Sequence, residues 1–72
     1  MSAIHKKGSK VFWKWGKGKI SGIIEEIYVE PVEKEIKNSF IKRNATKDNP
    51  AYFIKEENQN IYVLKLHSEL AE

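Results

Sequence analysis

The sequence predicts an all-β fold, a small barrel of about five antiparallel strands, and three observations lead there. Segments rich in β-branched and aromatic residues recur with turn signals roughly every eight to twelve residues. No stretch keeps a helical apolar period long enough for a bundle. At 72 residues the chain is one domain. Closing the strands on one another leaves few exposed edges, which matters for a chain with this much β-propensity.

Met1 to Lys7 is polar and basic without pattern and reads as a flexible tail, so the barrel domain is expected over residues 8–72. Gly8-Ser9 is a turn. Lys10 to Trp15 is the first strand, with Val11, Trp13 and Trp15 on one face and Phe12 and Lys14 on the other. Gly16-Lys17-Gly18-Lys19 reads as a hairpin connection that needs positive φ. Ile20 to Val29 is a long second strand, and Gly22 offers a place to bend it. Glu30 to Lys34 is a connection, with Pro31 ending the ladder. Glu35 to Arg43 reads as a third strand weakened at Asn38-Ser39, with a bulge or short coil expected there. Asn44 to Pro50 is the longest loop, where Asn, Asp and Thr bond their own backbone. Ala51 to Glu56 and Ile61 to Leu66 are the last strands, separated by the polar turn Glu57 to Asn60. Ser68 is placed to cap a final helical turn through Glu72.

A chain this short buries only about 60% of the surface its unfolded form exposes, so its stability rests on a small apolar core. Apolar residues make up 40% of the chain, enough for that core. There is no cysteine, so neither a disulfide nor a thiolate metal site reinforces it. No apolar run approaches the roughly 20 residues that cross a bilayer. The N-terminus lacks the apolar centre of a signal peptide, so the expectation is a cytoplasmic protein without membrane contact.

The formal charge of +3 is unevenly spread. Residues 1–19 hold six lysines and no acid, and residues 20–36 hold five glutamates against Lys34. The sign turns positive again over residues 37–55 and negative over 56–72. Alternating blocks suit antiparallel neighbours that pair opposite charges, and as a whole they read first as a solvated mixed surface.

A family resemblance emerges from three stretches. Gly8-x-Lys10-Val11-x-Trp13-x-Trp15-x-x-Gly18-x-x-x-Gly22 opens the chain. Lys42-Arg43-Asn44 and Asp48-Asn49-Pro50-Ala51-Tyr52-x-Ile54 stand in the middle. Val63-Leu64-Lys65-x-His67-Ser68-Glu69-Leu70 closes it. Together these resemble the hypervirulence-associated Tudor-domain family, small proteins of bacteria and also of fungi, from about Lys7 to Leu70. Ser9 departs from the family's tendency to an acidic residue, and the turn Glu57 to Asn60 lacks a glycine common there. The resemblance implies an SH3/Tudor-like barrel and brings no established biochemical activity with it.

The candidate functional residues fall into two groups. Tudor-like barrels hold methylated cations between aromatic walls. The candidate walls are Trp15, Tyr28, Tyr52 and Tyr62, with Glu26 or Asp48 as the acidic lip. The plainer role of these rings is core and rim packing. The second group is Lys10, Lys14, Lys17 and Lys19, interleaved with Phe12, Trp13 and Trp15. Basic residues beside exposed aromatics grip phosphates while bases stack, and Lys42 and Arg43 extend the patch if the third strand lies near. The plainer role here is a solvated strand face. Asp48 to Tyr52 reads as a structural turn into a strand. His67-Ser68-Glu69 is not read as catalytic, because adjacent side chains diverge while a nucleophile needs its base within hydrogen-bond reach. Two histidines without cysteines give no metal spacing. The expected function is therefore non-catalytic binding by a monomer without cofactor or metal. A protein or peptide partner on the aromatic rim is the first reading, and nucleic acid on the basic first hairpin is the alternative.

Overall fold

The computed structural model describes residues 4–58 and 60–70. Its strands are β1 (Lys10–Trp15), β2 (Gly18–Tyr28), β3 (Val32–Ile36), β4 (Ser39–Arg43), β5 (Ala51–Glu56) and β6 (Tyr62–Leu66), followed by a 3-10 turn at His67–Glu69. An antiparallel sheet in the order β1-β2-β5-β6 curls into a half-barrel, and β3 and β4 form a separate hairpin. The all-β barrel expected from the sequence is therefore what forms. At about 3.3 Å per residue, β2 would reach roughly 33 Å if straight. The largest principal extent of the molecule is 30 Å, and β2 coils with the curled sheet.

Two features of β2 produce that coil. Gly22 lies opposite Val11 on one side and Glu56 on the other. A Cβ there would stand 2.5 Å from Ile54 Cγ2 and 2.6 Å from the Lys55 carbonyl oxygen, so only glycine lets the strands approach this closely. Further along, the register slips between Ile24 and Glu26. The extra residue, Glu25, is a β-bulge. It puts Ile24 and Ile27 on the same side of the sheet although they are three apart, and turns Glu26 and Tyr28 to the other side.

The sheet accordingly packs on both faces. On one face, Val11, Trp13, Ile24, Tyr52 and Ile54 form the first cluster, with Ile20, Ile27, Val63 and Leu70 against it. On the other face, the β3–β4 hairpin covers Ala45, Ala51 and Leu64, with Tyr28, Phe53 and Leu66 from the sheet and Val32, Ile36 and Ile41 from the hairpin.

That hairpin differs from the interrupted third strand expected over residues 35–43, and it brings the strands among the described residues to six. Its turn residues Lys37 and Asn38 have φ of 50° and 65°. Positive φ at both central positions makes a type I′ turn, whose usual sequence signal is a glycine. None is present, so the turn did not announce itself. The first hairpin did, through Gly16 at φ 59° in a two-residue connection between Trp15 and Gly18.

The two motifs that carry the resemblance bond to each other. The His67 amide donates to the Pro50 carbonyl at 2.8 Å, the Ser68 amide donates to Asn49 Oδ1 at 2.9 Å, and the Tyr52 hydroxyl meets His67 Nδ1 at 2.9 Å. Ser68 is not the cap expected of it. The turn starts two residues earlier, at His67 with Leu66 in the cap position, and the Leu66 amide donates to the Glu69 carboxylate at 2.9 Å. The part of that expected turn at residues 71–72, the tail at residues 1–3 and residue 59 of the polar turn lie outside the described residues.

Candidate functional site

The four rings named as cage walls do not converge. Tyr52 is fully buried in the first cluster, its hydroxyl occupied by His67 and by the His5 amide at 3.1 Å. Trp15 lies at the end of β1, 70% exposed, whereas Trp13 is 2% exposed. By strand alternation both point to the face of the first cluster, yet the core ends at Trp13. Beyond it, the partner of Trp15 across the hairpin is Gly18, which has no side chain to cover the indole.

Tyr28 and Tyr62 do share a face, with Phe53 between them. The rings of Phe53 and Tyr62 stack with centroids 4.9 Å apart and planes 7° apart. The Lys34 ammonium reaches over from β3, 4.9 Å from the Tyr28 centroid and 5.4 Å from that of Phe53. It also lies 3.7 Å from the Glu26 carboxylate, which accepts a hydrogen bond from the Tyr28 hydroxyl. The Tyr28 hydrogen bond first, and Lys34 second, hold the Glu26 carboxyl below its ordinary pKa. This wall already holds a cation, and the cation belongs to the chain. Phe53 and Lys34 were not singled out in the sequence, because only the bulge at Glu25 brings Glu26 and Tyr28 to their side of the sheet. Clefts of about 150 and 210 Å³ flank Tyr62. Both are smaller than the roughly 300–1,000 Å³ of small-molecule sites.

The basic group fares differently. Register places Lys10, Phe12 and Lys14 of β1 on the face away from the first cluster with Lys19, Ser21 and Ile23 of β2 directly opposite. Phe12 is 41% exposed, with the Lys10 ammonium 5.5 Å from its centroid. Lys10 is neutralised by Glu57 at 3.2 Å. The Glu57 carboxyl is pulled below its ordinary pKa, most by a hydrogen bond from Ser21 and then by Lys10. Lys14 faces Lys19 across the strands, and Lys17 sits in the turn. Among the described residues, none of these three has a carboxylate within 4.0 Å. Lys42 and Arg43 do not join this patch. They lie on the β3–β4 hairpin, which packs on β6 at the far edge of the sheet from β1. Lys42 faces Glu33, and Arg43 Nε donates to Glu69 at 3.0 Å.

The hypervirulence-associated Tudor domain matches residues 8–70, nearly the whole chain. The chain belongs to that family. No curated relative and no solved structure matches it significantly. Membership of a Tudor family points to a small binding module. Near the C-terminus of the Tudor domain, the His67 ring meets the Tyr52 hydroxyl, the Ser68 backbone amide donates to Asn49 Oδ1, and the Glu69 carboxylate accepts from Arg43. Among the described residues no three His, Cys, Asp or Glu side chains gather as for a metal ion. No helix there is long and apolar enough to cross a membrane.

Proposed function

We propose that this Tudor domain is a non-catalytic, monomeric, cytoplasmic module that binds single-stranded nucleic acid on its β1–β2 hairpin. One observation carries the reading, the Lys14–Lys19 pair beside the exposed ring of Phe12. Like charges directly opposite in a sheet are destabilising, and a phosphate between them turns that repulsion into attraction. Phe12 on the same face, and Trp15 at the hairpin end, offer ring surfaces on which unpaired bases stack at about 1–3 kcal/mol each.

The test is a fluorescence titration with short single- and double-stranded DNA and RNA at two salt concentrations. If Lys14, Lys17 and Lys19 each meet a phosphate, log affinity falls by roughly two units per tenfold rise in salt. Lys14→Glu with Lys19→Glu abolishes binding, while Phe12→Ala or Trp15→Ala weakens single strands more than duplex. Absence of binding at low salt refutes the reading.

A second reading, a protein or peptide partner, is supported by the Tyr28–Phe53–Tyr62 wall. Its geometry already suits an ammonium group, so a lysine-bearing peptide competes with Lys34 for it. In that case Lys34→Ala gains affinity for such peptides, and chemical-shift changes centre on Phe53. Shifts confined to the β1–β2 hairpin count against it.

A further inference from the structure

His5 falls within the segment expected to be a flexible tail, yet its amide and its ring both meet Tyr52. Its amide donates to the Tyr52 hydroxyl oxygen at 3.1 Å. Its ring lies 5.2 Å from that of His67 and 5.7 Å from that of Tyr52, centroid to centroid. Just beyond, the Ser9 amide closes a turn onto the Lys6 carbonyl, and the Gly8 amide joins the Ile24 carbonyl on β2. Ile4 to Lys7 have no strand pairing of their own. Their attachment therefore centres on one backbone hydrogen bond and one imidazole set at a tilt against two other rings.

We propose that His5, Tyr52 and His67 form a pH-sensitive latch that holds the N-terminal segment against the barrel at neutral pH and lets go in mild acid. The hydrogen bonding explains why. With both imidazoles neutral and the His67 proton on Nε2, His67 Nδ1 accepts the Tyr52 proton, and the Tyr52 oxygen remains an acceptor for the His5 amide. Once His67 is protonated, both its ring nitrogens are donors. The Tyr52 hydroxyl loses its acceptor in a buried setting, where an unsatisfied polar group is costly. A second positive charge on His5 then faces the first at ring-contact distance.

The surroundings offer little relief. On the His67 side, Glu69 is bound to Arg43, the Leu66 amide and Lys65. On β5, the group facing His5 is Tyr52 itself. On β2, Glu26 is held by Tyr28 and Lys34, and its longer-range attraction is to Lys7. On the segment's own side the charged neighbours are Lys6 and Lys7. Burial first, and the nearby His67 second, lower the His5 pKa from its ordinary 6.5. The sign follows. Docking is at full strength above about 6.5, the value of a released histidine. It weakens as the pH falls from there through the lower docked value.

Amide NMR spectra of the full chain between about pH 7.5 and 5 test this, with imidazole resonances followed in parallel. Acid should carry the Ile4–Lys7 amides to disordered-chain positions together with the histidine titration, while β1, β2 and β5 amides away from Tyr52 hold still. The His67→Gln variant should raise the His5 pKa toward 6.5 and flatten the acid response. The Tyr52→Phe variant keeps the ring but removes the acceptor, and should leave the segment released even at pH 7.5. The proposal is overturned if these amides stay put through the histidine titration, or if they move equally in His5→Gln. It is also overturned if the segment stays docked in Tyr52→Phe.

Discussion

A methyl group on Gly22 would collide with backbone, and the consequences can be worked through. In Gly22→Ala the new carbon meets the Lys55 carbonyl oxygen at 2.6 Å and Ile54 Cγ2 at 2.5 Å. The first is main chain of the paired strand, and the second belongs to a fully buried residue. Neither yields without moving β5 away from β2, the central pairing of the sheet. Overpacking of this kind typically costs 1–3 kcal/mol, and the backbone clash places Gly22→Ala near the top, about 3 kcal/mol. A domain of this size has only about 4–11 kcal/mol in total. At 4–8 °C per kcal/mol for such a domain, the melting point should fall by roughly 12–24 °C. Gly18→Ala is the control, since a Cβ there meets nothing within 4 Å. It should change stability by less than about 0.5 kcal/mol. Urea titrations followed by tryptophan fluorescence, and melts followed by circular dichroism, measure both variants. If the two midpoints coincide, the close approach of β2 and β5 is wrong, and with it the curl of the sheet.

Three further outcomes follow from single side chains. Trp13→Ala should cost about 3–5 kcal/mol, whereas Trp15→Ala should stay within about 0.5 kcal/mol; equal losses in thermal melts would mean that the exposed tryptophan is misassigned. Lys37→Gly should raise the melting point by a few degrees, because a left-handed backbone costs an L-residue about 1–2 kcal/mol and the added chain entropy of glycine takes back roughly 0.5–1; a lower melting point would contradict the type I′ turn. Tyr28→Phe should raise the Glu26 pKa more than Lys34→Gln does, read from the carboxyl carbon shift during an acid titration. Because the folded value is the lower one, the stabilising contribution of Glu26 is present above its ordinary 4.5 and disappears as the pH falls through the folded value. An unchanged titration in Tyr28→Phe would rule out the hydrogen bond as the main cause.

Much of the fold was legible because its signals are local. The aromatic and β-branched runs of β1, β5 and β6 alternate along the strand, and Gly16 marks its own turn. The third-strand region is not legible in the sequence, because a Lys-Asn pair occupies a turn whose usual marker is glycine. The resemblance motifs were legible as a pattern but not as a purpose. Asn49, Pro50 and Tyr52 bond to His67 and Ser68, so these motifs join the loop to the last turn and serve the fold. Their presence identifies the family without locating a binding surface. Among the site residues, the face shared by Phe12, Lys14 and Lys19 needed the strand register, since residues on two strands become neighbours only through it.

By itself the sequence determined the class of fold, the lysine-rich first hairpin and the family, because side-chain alternation, glycine turns and motif spacing are properties of neighbours along the chain. Tertiary structure alone decided which aromatic rings are free. Trp13 and Trp15 share a strand face, and what separates them is how far the core beneath extends. Tyr28, Phe53 and Lys34 come together because one extra residue at Glu25 shifts the pleat, an effect without meaning until β5 lies alongside. Whether a side chain ends in water or in the core is set by what the rest of the chain puts in front of it.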